Sequence, residues 1–289
     1  MAEAVVIALD VGGSSVKSGI VTHNQTVEAI MQTSVDSKGS AETILATFAG
    51  IVTSYLARYP DILGVGIGFP SPFDYDNGIS LIEGVDKYET IFNVDVGADI
   101  RVRVNQPNLK IRFRNDAESA LVGEALYGAG SAYSRFIGLT LGTGLGSSFM
   151  ADGQRVKDGQ GVPDSGFLFP VHYRGVQSDE WFSTRGLLKR FTDAGTPFTS
   201  VADAAQAAQT DDNIRATFAA FGADLAEFVQ PHLASFHAEA LLITGGIANA
   251  YDLFRDGLEN GVSVPVVRGT LGTQAALLGA ADLIYHEKS

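Results

Sequence analysis

The sequence predicts an α/β protein built from two related halves, on three observations. Two stretches far apart read as the same hairpin: residues 5–20, centred on Leu9-Asp10-Val11-Gly12-Gly13-Ser14-Ser15-Val16-Lys17, and residues 136–149, centred on Leu139-Thr140-Leu141-Gly142-Thr143-Gly144-Leu145-Gly146. Aligned without gaps, Leu9 meets Leu139, Asp10 meets Thr140 and Gly12 meets Gly142. Strand-like runs alternate with helically spaced ones along the chain, the pattern of an α/β protein. At 289 residues the chain is long enough to bury two cores.

Taken in order, residues 4–9 and 16–22 read as the first hairpin. From Ala41 to Arg58 an apolar stripe of Ile44, Leu45, Phe48, Ile51, Val52, Tyr55 and Leu56 predicts a helix. A buried strand follows over 61–69 and ends at Pro70 and Pro72; 73–95 reads as a long loop with short elements. A short strand at 111–114 leads through Asn115-Asp116 into a helix to Leu126, then comes the second hairpin over 136–150. Residues 152–174 are rich in Gly, Pro and Asp, and irregular loops of that length are often functional. Helices are expected near 180–192, 201–208 and 212–236, a strand at 240–244 meeting Gly245-Gly246, a further helix, a strand at 264–267 and a closing helix over 273–285. The expected division is a first domain of residues 1–117, closed by the C-terminal helix at about 274–289, and a larger second domain of 118–273.

The formal net charge of −13 argues against a nucleic-acid partner, whose binding rests on Lys and Arg neutralising phosphates, and against an anionic membrane surface. No apolar run approaches the roughly 18 residues of a membrane span. Met1-Ala2-Glu3-Ala4 lacks the positive charge that opens a signal peptide, so a cytoplasmic protein is expected. The chain has no cysteine, hence no disulfide and no thiolate metal site.

An acidic chain can still hold phosphate, because backbone N–H groups and Mg²⁺ do so without a basic patch. Asp10-Val11-Gly12-Gly13-Ser14-Ser15 reads either as an ordinary Gly-Gly turn or as a turn whose amides and hydroxyls face terminal phosphates, with Asp10 reaching Mg²⁺ through water. A second copy favours phosphate, and two such turns point to halves facing each other across a phosphate-bearing ligand. Gly142-Thr143-Gly144-Leu145-Gly146 runs strand to strand, so it is no dinucleotide fingerprint; it fits a second phosphate turn with Thr143 as donor. Asn115 and Asp116 are good helix-capping residue types, and a strand's carboxyl end is also where α/β folds bind ligands. Gly245-Gly246 reads as a simple turn or as a close approach to an adenosine or α-phosphate. The five histidines show no metal spacing.

Together these motifs resemble the ROK family of sugar kinases over nearly the whole chain, to the closing Leu271-Gly272-Thr273-Gln274-Ala275-Ala276-Leu277-Leu278-Gly279-Ala280-Ala281. The most specific pieces are Asn115-Asp116-Ala117-Glu118 with Gly123-Glu124 and Gly128-Ala129, then the stretch from Gly138 to Gly146. Gly68-Phe69-Pro70-Ser71-Pro72-Phe73-Asp74 resembles the family's Gly-x-Pro-Gly-Pro-x-Asp, with Ser71 for a glycine. The resemblance implies an actin-like ATPase fold of two ribonuclease H-like domains with an interdomain cleft for sugar and ATP. It implies Asp116 as general base, kept ionised by the helix N-terminus, and Asn115 as a sugar hydroxyl partner. It implies phosphate and nucleotide contacts from Asp10, Gly12, Gly13, Ser14, Ser15, Lys17, Gly142, Thr143, Gly144, Gly245 and Gly246. The further substrate-side candidates are Ser71, Glu83, Asp164 and either Asp179 or Glu180, whichever stands for the family's later sugar-binding Glu.

The implied activity is ATP- and Mg²⁺-dependent phosphorylation of a hexose at a primary hydroxyl, with glucose the default acceptor and a homodimer the expected assembly. A kinase for fructose or an N-acetylhexosamine, and a non-catalytic sugar- or nucleotide-binding protein of the same fold, are the alternatives. The sequence opens on its first strand, so a DNA-binding domain like that of the family's repressors is not expected. Where the family carries a Gly-Glu-x-Gly-His segment and a cysteine cluster for structural zinc, this chain has Pro163-Asp164-Ser165-Gly166-Phe167 and no cysteine. Structural zinc usually takes four Cys or His ligands, so elemental analysis is expected to find no stoichiometric zinc. Chelation followed by Mg²⁺ replacement is expected to leave folding and activity unchanged.

Overall fold

The computed structural model describes residues 4–286. Packing divides the chain into two units, one reaching Gly123 and resuming at Thr273, the other Glu124–Gly272. The first contains β1 (Val5–Val11), β2 (Ser15–Val21), β3 (Val27–Ser34), α1 (Ala41–Leu56), β4 (Ile62–Phe69), the short pair β5 (Phe73–Asp74) and β6 (Ile79–Ser80), α2 (Val96–Arg103) and β7 (Ile111–Asn115). Helix α3 (Asp116–Tyr127) follows. The second unit holds β8 (Arg135–Leu141), β9 (Leu145–Ala151), β10 (Gln154–Val156), the pair β11 (His172–Tyr173) and β12 (Val176–Gln177), then α4 (Asp179–Phe182), α5 (Thr184–Asp193), α6 (Val201–Ala207) and α7 (Asp212–Phe236). It closes with β13 (Ala240–Thr244), α8 (Tyr251–Glu259) and β14 (Val266–Arg268), and α9 (Ala275–Tyr285) returns to the first unit. No helix of the described residues is long and apolar enough to cross a membrane.

Each unit carries a five-stranded sheet of the same plan. The orders are β3-β2-β1-β4-β7 and β10-β9-β8-β13-β14, an antiparallel meander followed by two parallel strands. The repeat read from the two hairpins therefore extends to whole sheets. The gapless alignment fails beyond the turn, however. Val11 pairs with Val16 and Asp10 with Lys17, whereas Leu141 pairs with Leu145 and Thr140 with Gly146. The first turn is thus one residue longer, and this puts a lysine opposite Asp10.

The alternation of a strand buried on both faces explains the first unit. Val5, Ile7, Leu9 and Val11 join the core with Ile44 and Phe48 of α1, while Val6 and Ala8 are buried on the other face. That second face is kept small for α9. A Cβ on Gly66 would stand 2.0 Å from the Ala280 carbonyl oxygen, one on Gly123 2.0 Å from that of Ala275, and one on Gly279 1.8 Å from that of Ser119. The packing break therefore falls inside α3 rather than at the expected 117/118 boundary, because Ser119 and Gly123 pack on α9. In the second unit, α7 and α8 cross at similar closeness, with Gly222 against the Phe254 carbonyl and Gly257 against that of Ala219.

The sequence reading left several elements unread: the strands β10, β11 and β12 of the stretch read as irregular and its margin, and, in the first unit, β3 and α2. β3 is an edge strand whose Ile30 faces solvent at 49% exposure, which breaks the expected polar-out alternation. α2 buries only Val96, Gly97 and Ile100, too few for a stripe, and is started by Asp95, whose carboxylate accepts the Ala98 N–H at 2.7 Å.

The helix–backbone contacts give a paired test. Alanine favours a helix over glycine by about 1 kcal/mol. Gly279→Ala is nevertheless expected to destabilise by about 1–3 kcal/mol, since overpacking outweighs propensity. Gly50→Ala in α1, with nothing within 4 Å of the added methyl, should stabilise by up to about 1 kcal/mol. Urea unfolding of both variants checks the opposite signs.

Candidate active site

In the first unit the register sets the site. β1, β4 and β7 run parallel, with Asp10 beside Gly68, Gly68 beside Arg114, and Phe69 beside Asn115. The carboxyl ends of β1 and β7 therefore share an edge two strand spacings apart, about 10 Å. Asn115 ends β7 and caps α3, its Oδ1 accepting the Glu118 N–H at 3.0 Å while Nδ2 donates to the Tyr75 hydroxyl at 3.3 Å. The Tyr75 hydroxyl donates onward to the Phe69 carbonyl at 3.1 Å and is hydrogen-bonded by Ser71, linking Ser71, Tyr75 and Asn115 in one row. The phenol's pKa is pushed up by burial.

Asp116 is the first residue of α3, and its Oδ1 accepts the Ala117 N–H at 2.8 Å. Burial pushes its carboxyl upward, while the Ala117 N–H, the Lys87 charge and the Asn115 side chain pull it down. The helix terminus expected to hold it ionised is thus opposed by desolvation. A carboxyl moved toward neutral pH is a better-matched general base. Asp10 is pushed up to about 6, first by burial and then by the like charge of Asp116, with Lys17 opposing. Lys17 owes that position to the longer first turn.

The turn itself is closed by the Gly12 N–H donating to the Ser15 carbonyl at 3.0 Å, with Gly13 and Ser14 exposed at its tip. Ser15 Oγ accepts from Gln32 Nε2 at 3.0 Å. Among the described residues no cluster of three or more His, Cys, Asp or Glu could hold a metal ion. A single buried carboxylate near a like charge suits Mg²⁺, which keeps several waters and takes one or two carboxylates. Asp10 fits that ion on this ground.

In the second unit the turn Gly142-Thr143-Gly144 lies at the carboxyl end of β8, next to β13. Gly245 adopts φ +95°, and a Cβ there would stand 2.5 Å from the Leu141 carbonyl oxygen, so this corner admits only glycine. Gly142, Thr143, Gly144, Gly245 and Gly246 are thus neighbours. Asp179 braces them: its Oδ1 accepts the Leu145 N–H at 2.6 Å and its Oδ2 pairs with Arg185 at 3.1 Å, while the Thr184 N–H donates to the Gly142 carbonyl at 2.7 Å. Glu180 shares Arg185 at 2.6 Å. The Asp164–Gly166 segment is fastened to β9 and β10 through Ser147 Oγ to the Gly166 carbonyl at 3.0 Å and Arg155 to the Ser165 carbonyl at 2.5 Å, with Asp164 exposed. Glu83 is exposed on a first-unit loop.

Sequence reasoning missed Tyr75, Lys87 and the bracing role of Asp179. Tyr75 stood inside a segment read as loop. The partner of Asp179 is a backbone amide 34 positions away, which no local pattern reveals.

The ROK family model matches residues 6–287. A glucokinase from Thermotoga maritima is 26% identical, covering 96% of this chain and 96% of its own length. A beta-glucoside kinase from Listeria monocytogenes is 27% identical over 57% of this chain, which spans only about half (53%) of that relative's length. A solved ROK family glucokinase from Streptomyces griseus, in complex with glucose and AMPPNP, matches with a TM-score of 0.77 at 20% identity, over 98% of this chain and 100% of that one. The fold is thus the actin-like ATPase fold, with its duplicated five-stranded sheet.

The buried Asp10 gives a pH test. Its folded pKa of about 6 lies above the ordinary 3.8, so the folded protein binds the proton more tightly than the unfolded chain. The resulting stability is fully present below about pH 4 and lost as pH rises through about 6. In Mg²⁺-free buffer, Asp10→Asn is expected to gain on the unaltered protein by up to about 3 kcal/mol between pH 4 and pH 7.5. Urea unfolding at both pH values measures it, and added Mg²⁺ should narrow the gap at pH 7.5.

Proposed function

This chain belongs to the ROK family, and on that premise we propose that it is an ATP-dependent sugar kinase, transferring the γ-phosphoryl group to the primary hydroxyl of a hexose, glucose by default. The observation that carries this reading is the first-unit edge. There Asp116 has one oxygen held by the Ala117 N–H, while Asp10 and a glycine turn stand at the end of a strand two positions away in the same sheet.

Phosphoryl transfer is mainly positioning and charge neutralisation. The acceptor hydroxyl forms a bond to the γ-phosphorus as the bond from phosphorus to the β,γ-bridging oxygen breaks. Its proton passes to the Asp116 carboxylate and the leaving electrons go to ADP. Asn115, its amide oxygen occupied by the helix cap, keeps an N–H for a sugar hydroxyl, and Ser71 and Glu83 are further acceptor-side groups. Gly13, Ser14 and Ser15 offer amides and hydroxyls to the transferred phosphate, and Gly12, its own N–H donating to the Ser15 carbonyl, shapes the turn. Asp10, with Lys17 opposite, would hold Mg²⁺, and the ion when bound would supply neutralisation of phosphate charge.

Gly142, Thr143 and Gly144 serve the nucleotide phosphates, and Gly245 and Gly246 approach the adenosine. Asp179 acts through the turn it braces, which leaves Glu180 and Asp164 as the acids of that unit for sugar hydroxyls. The names of the relatives support a sugar acceptor, and a pocket built for particular hydroxyls rejects sugars lacking them.

A coupled ADP-release assay over glucose, fructose, N-acetylhexosamines and β-glucosides tests the reading. ATP binding without turnover on any sugar would leave a non-catalytic binding protein. Asp116→Asn keeps the shape and removes the proton acceptor. It is expected to lower kcat by ~10²–10⁴-fold, with ATP affinity and Tm little changed. A near-normal kcat in that variant would reduce Asp116 to a structural residue of the helix start.

A further inference from the structure

A half-buried lysine that no sequence motif singled out lies beside the first glycine turn. Lys87 belongs to the loop between β6 and α2, and this loop is tied down on both sides of it. Tyr88 is fully buried with φ +58°, its hydroxyl donating to the Gly12 carbonyl at 2.5 Å and its amide to the Ser37 carbonyl at 2.6 Å. Asp86 pairs with Lys38, and the Asp86 N–H donates to Glu89 Oε1 at 2.9 Å.

Between these anchors the Lys87 stem passes Gly13, with Cδ 3.9 Å from where a Cβ on that glycine would stand. The Lys87 charge is felt by Asp116. Lysines are usually solvated, and those serving stability are commonly paired. Among the described residues Lys87 has no salt bridge. The Lys87 side chain thus brings an unpaired cation beside the glycine turn and within electrostatic reach of Asp116.

We propose that Lys87 is a further catalytic residue of the phosphoryl-transfer site, its ammonium group contacting the transferred phosphoryl between the Gly12–Ser15 turn and Asp116. This rests on the kinase reading above. Lys87 forms and breaks no covalent bond. It attracts the negative charge spread over the equatorial oxygens during transfer, the kind of stabilisation that fixed cations supply in such reactions. Tyr88, the next residue, bonds to the same turn through the Gly12 carbonyl and so keeps the lysine's backbone beside it.

The test compares Lys87→Met, Lys87→Arg and the unaltered protein in the ADP-release assay. Binding of ADP with Mg²⁺ and sugar, with and without aluminium fluoride as a mimic of the group in flight, is measured by calorimetry. Lys87→Met is expected to lose about 10²-fold in kcat while keeping ADP affinity and Tm. It should also lose most of the tightening that aluminium fluoride gives the unaltered protein, and Lys87→Arg should recover part of both. A Lys87→Met kcat within about threefold of normal, or losses of kcat that track equal losses of ADP affinity and Tm, would overturn the proposal. Failure of the kinase reading looks different: the unaltered protein itself would turn over no sugar, and the proposal would fall with it.

Discussion

Asp10 and Asp116 are like charges drawn out of water onto one edge of one sheet, and much of the first unit answers to that fact. Desolvation pushes both carboxyls up, and the charge of Asp116 pushes Asp10 up further. What compensates is local: Lys17 across the hairpin, the Ala117 amide at the start of α3, and Lys87. The spacing comes from β4, which runs between the strands that carry the two acids, with Gly68 beside Asp10 on one side and Arg114 on the other. Arg114 is in turn anchored on α9 through the Gly279 carbonyl at 2.7 Å and Asp282 at 3.2 Å. A charge pair of this kind is unfavourable to folding, so the surrounding backbone must be held by packing rather than by the site itself.

What could be read in the sequence was whatever local rules decide. A strand buried on both faces, a glycine turn and a helical stripe carry their signal within a few residues, and β1, β8, α1 and α7 stand where the patterns placed them. Asn115 and Asp116 were legible as the place where a strand end becomes a capped helix start. Pairing register was not legible. The extra residue of the first turn is set by which partners meet across the hairpin, and only that register turns Lys17 toward Asp10. Lys87 was equally silent, since a lysine in a loop has no periodicity. Its meaning depends on Tyr88 reaching Gly12 across 76 positions.

The two sheets share a strand order but not a chemistry. At matching places the first has Asp10 facing Lys17, the second Thr140 facing Gly146. One copy of the plan carries a charged pair across its hairpin; the other has none there, and the neighbouring corner at Gly245 admits no side chain. The second turn is braced within its own unit by Asp179 and the Thr184 amide. The first is braced from its own unit by Tyr88.

Because α9 follows the whole second unit in the chain, the two units do not become complete in the order in which they begin. On a ribosome, Glu124–Gly272 is an unbroken run that can close while translation continues, whereas the sheet started by β1 must wait for α9. Until then the small-residue face around Gly19, Gly64 and Gly66 has no cover, and nascent chains with bare apolar sheet faces are those that misassociate. The half that starts first is therefore finished last.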